Sequence, residues 1–155
     1  MSDAVSETDR IEKRVVLKAS VARVWRALTD SQEFGAWFRV HLEGPFVEGK
    51  SVQGHITFPG YEHLKFEALV VRMDAEKYFA YRWHPYAIDP TVDYSSEPTT
   101  LVEFHLEPAG ADTRLTVVES GFDQIPAGRR AEAFRMNEGG WAQQLLHIQA
   151  HVASA

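Results

Sequence analysis

Between residues 39 and 120 the chain alternates apolar and polar side chains in six segments, 39–43, 50–58, 64–74, 77–84, 100–108 and 112–120. A period of two marks a strand with one covered face, and strands joined by short connections pair antiparallel. The breaks carry turn-forming residues: Gly44-Pro45, Pro59-Gly60, Asp74-Ala75-Glu76 and Pro108-Ala109-Gly110. An antiparallel sheet is therefore expected through the middle of the chain. Phe79, Tyr81 and Trp83 share one face of their strand, as do Val102, Phe104 and Leu106 in the next. Arg82, Glu103, His105 and Arg114 fall on the other side, where cross-strand charge pairs contribute about 0.2–1 kcal/mol each.

The flanks have different periods. Residues 10–18 alternate, with Ile11, Val15 and Leu17 together, and read as a first strand. Ser20 is placed as an N-cap for a helix burying Val21, Val24, Trp25 and Leu28. Asp30 with Glu33 resembles a capping box ahead of Phe34, Trp37 and Phe38, which predicts a second short helix. After Pro126 a long helix aligns Phe134, Trp141, Leu145, Ile148 and Val152 in one stripe, with Glu138 inside it, Asn137 on its edge, and His147 and His151 pointing away. The pair Gly139-Gly140 costs about 1 kcal/mol per residue in a helix interior, which suggests a kink or a close backbone approach.

Two acids break these patterns. In the segment RLTVVESGF, Glu119 lies on the same strand face as Leu115 and Val117, and Glu138 lies in the apolar stripe of the last helix. An ionised carboxylate without a partner is costly to bury, so each needs a polar group or an escape from the core. One reading pairs Glu119 with Arg135, Arg130 or the amides of the SGF turn and lets Glu138 fill the gap beside the glycines. The other gives both acids to a ligand's hydroxyl or ammonium, or makes one a general acid or base of raised pKa. His84 to Thr100 is a long segment broken by Pro85, Pro90 and Pro98, of the kind that forms a lid or binding loop. In it Asp89, Asp93 and Glu97, spaced by four, read as solvated acids rather than a metal site, and Tyr86 and Tyr94 are candidates to cover a cavity mouth.

Composition removes other classes. The 155 residues have an ordinary share of hydrophobic (45%) and charged (25%) side chains, enough for one domain that hides roughly 70% of its unfolded surface. Residues 1–9 are expected to be a flexible N-terminus and 10–153 the folded domain. No run resembles a signal peptide or a membrane span, so a cytoplasmic protein without membrane contact is expected. The net charge of -6 without a basic cluster opposes nucleic-acid binding. There is no cysteine, and no nucleophile elbow, phosphate loop, dinucleotide fingerprint or zinc helix. His147 and His151 have a metal-compatible spacing without a third ligand. No cofactor and no metal are expected.

The segments VWRALTDSQEFGAWF, YRWHP, PTTLVEFHLEP, LTVVESGF and GGWAQQLLHIQAHV resemble the bacterial branch of the SRPBCC superfamily, related to START and birch-pollen-allergen proteins, that is named after the activator of heat-shock protein 90 ATPase. The resemblance covers about residues 10–153. It implies an α+β helix-grip fold, in which a curved antiparallel sheet of about seven strands wraps a long C-terminal helix, with two short helices between strands 1 and 2. It also implies a cavity between sheet and helix for a hydrophobic molecule of lipid, polyketide or aromatic type. The residues placed around that cavity are Trp37, Tyr81, Trp83, Phe104, Glu119, Met136, Glu138 and Trp141; catalytic residues are not assigned. Binding of a small hydrophobic molecule ranks first. Stimulation of a chaperone ATPase ranks second, because the eukaryotic activator carries an additional N-terminal domain that these residues do not supply. A cofactor-free cyclase or hydrolase using Glu119 and Glu138 ranks third.

Overall fold

A computed structural model describes residues 8–89 and 91–153. Along the chain run β1 (Arg10–Leu17), α1 (Val21–Thr29), α2 (Ser31–Phe38), β2 (Val40–Leu42), β3 (Ser51–Ile56), β4 (Lys65–Asp74), β5 (Tyr78–Trp83), β6 (Thr100–Ala109), β7 (Asp112–Ser120), a short 3-10 turn (Phe122–Gln124) and α3 (Ala127–Ala153). All six alternating segments are strands. They join β1 in one antiparallel sheet of order β1-β7-β6-β5-β4-β3-β2, which is the helix-grip α+β fold. Residues 1–7 of the expected flexible N-terminus lie outside the described residues; Asp9 accepts backbone bonds from Gly121 and Phe122 at 3.1 Å and so belongs to the turn before α3.

Local chemistry fixes the helix boundaries. The Ser20 hydroxyl accepts from the Arg23 amide at 3.2 Å, and the Asp30 carboxylate accepts from the amides of Gln32 and Glu33 at 2.9 and 3.1 Å. Each cap satisfies amides that the first helical turn leaves open. The second half of the expected capping box is absent. Glu33 turns to Arg23 (2.6 Å), Arg26 (2.9 Å) and His151 (3.0 Å), because the Asp30 amide already bonds the Arg26 carbonyl. Burial alone would raise the pKa of Glu33, but the bonds from His151 and Arg23 hold it below the ordinary value. This carboxylate thereby ties the far end of α3 to α1 and α2.

Pairing sets which side chains meet. Ile11, Glu119, Val102, Tyr81 and Val70 lie opposite one another across β1, β7, β6, β5 and β4, and form one row on the core face. All five are buried, and the acid is the row's only charged member. A register shift between Val70 and Arg72 bends β4, as an inserted residue does. On the helix side Trp141, Leu145, Ile148 and Val152 are buried, and Phe134 stacks edge-on against Phe122 at 5.2 Å. The Gly139-Gly140 expectation is corrected. α3 runs unbroken through both glycines, and an added Cβ at either would meet nothing within 4 Å. Among the described residues no helix is long and apolar enough to cross a membrane.

Glycine is required at Gly54 of β3, where a Cβ would stand 2.0 Å from the His41 carbonyl oxygen of β2. Both atoms are held by the strand pair, so neither can give way. Gly54→Ala is expected to lower the unfolding free energy by about 1–3 kcal/mol, the usual range for forced overpacking. Gly44→Ala, where nothing lies within 4 Å, serves as the control. Equal denaturant midpoints for the two variants would contradict the assignment.

Candidate functional site

β7 runs between β1 and β6, and its inward-facing Glu119 has no solvent exposure. None of the expected arginines reaches it; Arg130 donates instead to the Ile125 carbonyl at 3.0 Å. Its partners are four neutral donors arranged in two pairs. Oε2 accepts from the Trp83 indole at 2.7 Å and the Thr100 hydroxyl at 2.6 Å, and these two residues are direct cross-strand neighbours on β5 and β6. Oε1 accepts from the Trp141 indole at 2.8 Å and the Asn137 amide at 2.9 Å, and these two are four residues apart on α3. A cross-strand pair and an i, i+4 helix pair each present side chains side by side, so each serves mainly one oxygen, with the Asn137 amide also reaching Oε2 at 3.2 Å. The single carboxyl group therefore fastens the sheet to the helix.

Burial is the largest influence on this acid and raises its pKa, against the pull of the bonds from Thr100, Trp83, Trp141 and Asn137. The neutral form keeps the network. A proton on Oε2 can be donated to the Thr100 oxygen, because a hydroxyl accepts as well as donates, while both indoles still find an acceptor. Tyr81, in the same cross-sheet row, is wholly buried and its hydroxyl has no hydrogen-bond partner among the described residues. Its pKa lies well above the ordinary value, first through burial and then through the charge of Glu119.

The space between sheet and C-terminal helix is filled rather than open at its centre. Phe34, Tyr81 and Phe104 are at most 1% exposed, and ring centroids of Tyr81, Trp83, Phe104 and Trp141 lie 5.6 to 6.1 Å from their neighbours in the set. Of the residues expected around a cavity, the structure brings together Tyr81, Trp83, Phe104, Glu119 and Trp141. Trp37 is buried nearby and donates its indole to the Ala27 carbonyl at 2.8 Å. Glu138 and Met136 are placed elsewhere. The Glu138 side chain is 51% exposed, 4.0 Å from Lys13, and Met136 is 44% exposed, so the expected meeting of the two acids does not occur. The rotation of α3 is the cause: Trp141 takes the inward position, and positions 136 and 138 turn away from it. Thr100 and Asn137 were not among the expected site residues. The signals available were Thr100 at the strand start opposite Trp83 and Asn137 four positions before Trp141.

An open pocket of about 560 Å³ lies at the edge of this packed centre. Phe66 and Trp83 form its floor, Ile56, Leu64, Ile88 and Val92 add apolar wall, Tyr86 and Tyr94 come from the segment after β5, and polar side chains including His63, Lys65, Glu67, Asp89 and Asp93 share the lining. A second pocket of about 550 Å³ between α2 and β2 is lined by Gly35, Ala36, Val40, Leu42, Pro45 and polar side chains, with no Phe, Tyr or Trp among the described residues. Among the described residues Trp83 is the one shared by the first pocket and the Glu119 network. Among the described residues no group of three or more His, Cys, Asp or Glu is placed to hold a metal.

Comparison with known proteins agrees with this architecture. The family model described as activator of Hsp90 ATPase homolog 1-like protein matches residues 18–153. DynU16, from the dynemicin biosynthetic locus, superposes with a TM-score of 0.71 at 23% identity over 94% of this chain, which spans only 47% of DynU16. Protein MLL2253 of Mesorhizobium loti gives 0.74 at 19% identity, over 94% of this chain and 98% of its own. The Aha1 dimer of Colwellia psychrerythraea gives 0.68 at 19% identity, over 92% and 95%. At such identities these structures share the fold. No curated protein matches the chain significantly.

Replacing Glu119 by glutamine puts an NH₂ where one of two indoles needs an acceptor, so one N–H is left facing a donor. Glu119→Gln is expected to lower the unfolding free energy by about 1–3 kcal/mol. The effect depends on pH with a definite sign. A carboxyl whose folded pKa is raised contributes most below its unfolded value of 4.5 and loses that contribution as pH rises through the folded value. The stability gap between wild type and variant should therefore narrow as pH climbs from the ordinary glutamate range. Denaturant melts across that range that show a widening gap, or none, would contradict the network.

Proposed function

Because this chain belongs to the family of activator of Hsp90 ATPase homolog 1-like proteins, whose fold is the helix grip, we propose that it binds a small hydrophobic molecule with a flat or aromatic face, in the pocket beside Trp83. The pocket itself carries this reading. About 560 Å³ is within the usual volume for small-molecule sites, and its lining sets Phe66, Trp83, Tyr86, Tyr94 and aliphatic side chains beside polar ones such as Lys65, Glu67 and Asp93 that can orient a bound molecule. Aromatic rings set at its floor favour a ligand that stacks or presents ring edges. A lipid or polyketide with a rigid apolar face fits the same lining.

Catalysis through Glu119 has less support. A general acid or base must come within hydrogen-bond reach of its substrate, and this carboxyl is sealed behind four donors. The chaperone reading draws on the family's description alone, and the same fold serves unrelated tasks.

Anilinonaphthalene sulfonate, an aromatic probe whose emission rises in apolar surroundings, tests the reading. Saturable binding is expected, with shifts at the Trp83 indole N–H. Ile88→Asp changes a wall residue that is 40% exposed, so folding should survive while affinity falls at least about fivefold. Binding that is absent in wild type, or indifferent to Ile88→Asp, would overturn it.

A further inference from the structure

Arg129 stands in the first turn of α3, where the helix dipole disfavours a cation. Its guanidinium turns off the helix onto the segment that follows β5. Nε and Nη2 donate to Glu97 Oε1 at 2.9 and 2.7 Å, and Nη1 donates to the carbonyls of Pro85 at 2.7 Å and Tyr86 at 3.3 Å. The guanidinium carbon lies 4.8 Å from the centre of the Tyr94 ring, a cation–π distance. The ion pair is largely out of water, with side-chain exposures of 20% for Arg129 and 19% for Glu97.

These contacts converge on the pocket without entering it. Tyr86 and Tyr94 line the pocket, whereas Arg129 and Glu97 do not. Tyr86 has a φ of 51°, a left-handed conformation that a bulky side chain rarely adopts. Such a residue persists only where its surroundings hold it. Here Arg129 holds its carbonyl, and Glu132, three residues further along α3, lies near its hydroxyl and raises its pKa after the effect of burial. The base of the segment is closed by His84 Nε2 and the Glu97 carbonyl, 3.0 Å apart.

Resting on the reading of this pocket as the ligand site, we propose that Arg129 is its positioning residue, holding Tyr86 and Tyr94 in place as pocket walls from the first turn of α3. The helix that Glu119 binds to the sheet thus also shapes the site. Walls fixed before the ligand arrives need less ordering on binding, which favours affinity. The planar fork matters as much as the charge, because one guanidinium serves a carboxylate, two carbonyls and a ring face together.

Two measurements separate the failure of this proposal from failure of the ligand reading. The first needs no ligand: hydrogen exchange at the amides of Val92 and Glu97, which bond the carbonyls of Asp89 and Tyr94 at 3.1 and 2.9 Å, in wild type and Arg129→Ala. Exchange at both should accelerate about tenfold or more while amides of β6 and β7 stay unchanged. The second titrates anilinonaphthalene sulfonate into wild type, Arg129→Ala, Glu97→Ala and the double variant. Each single change should weaken binding at least about fivefold, and the double variant should be no weaker than Arg129→Ala alone, because the pair that Glu97→Ala removes is already lost with Arg129. Arg129→Lys, which keeps charge without the fork, should not restore affinity. If Arg129→Ala does not fold, Glu97→Gln weakens the pair from the other side and is read in its place. Unaltered exchange, affinities within about twofold of wild type, or additive losses would overturn the proposal. A wild type that fails to bind the probe would overturn the ligand reading, and the exchange result would still decide whether Arg129 holds the segment.

Discussion

One buried carboxyl group joins the two halves of this fold. Glu119 leaves the sheet from β7, receives Trp83 and Thr100 on one oxygen and Asn137 and Trp141 on the other, and so gives the sheet and α3 a common polar centre. Apolar packing between sheet and helix is non-directional and would tolerate sliding or rotation of α3. Four donors aimed at two oxygens do not. A helix turned by one position would leave the buried Trp141 indole without its acceptor in a place that water does not reach, and would take the half-buried Asn137 amide off the carboxyl as well. The acid thus sets the register of the grip, and the apolar side chains above and below it supply most of the burial.

That arrangement shapes where a ligand can be accommodated. With Tyr81, Phe104 and Trp141 packed around the carboxyl, the middle of the grip is closed, and the open volume lies at the Trp83 end, between the start of β4 and the segment after β5. Trp83 therefore has two roles: its ring forms pocket floor, and its N–H holds Glu119. A molecule pressing on that ring acts on one bond of the same carboxyl group that receives the helix donors Trp141 and Asn137. At the far end of α3 a second acid, Glu33, collects Arg23, Arg26 and His151, so the helix is held by polar contacts at two heights.

Much of the fold was legible because alternation is a local property. Every strand and helix follows from side-chain period and from punctuation such as Ser20, Asp30 and Pro126, and the resemblance of ordered segments supplied the topology. The anomaly at Glu119 was legible too, as an acid in line with Leu115 and Val117. Its partners were not, since they come from three elements spread over more than fifty residues and are neutral donors rather than the nearby arginines. Glu138 misled for a related reason. Helical period places it within the apolar stripe, but the actual rotation of α3 is fixed by Trp141 reaching Glu119, which turns position 138 outward toward Lys13. The pocket was legible only as a long proline-broken segment; its floor depends on how β3 and β4 end, which the sequence pattern does not specify.

The central claim, that one carboxyl group clamps sheet to helix, is tested most directly by a single titration. Following the Glu119 side-chain carboxyl carbon and the indole N–H signals of Trp83 and Trp141 by NMR as pH is lowered reports on the acid and both of its anchors together. A clamp of this kind titrates with a midpoint above the ordinary 4.5, with both indoles moving at that same midpoint and remaining hydrogen-bonded on its acid side. A midpoint at or below 4.5, or indoles that ignore the carboxyl's titration, would contradict it.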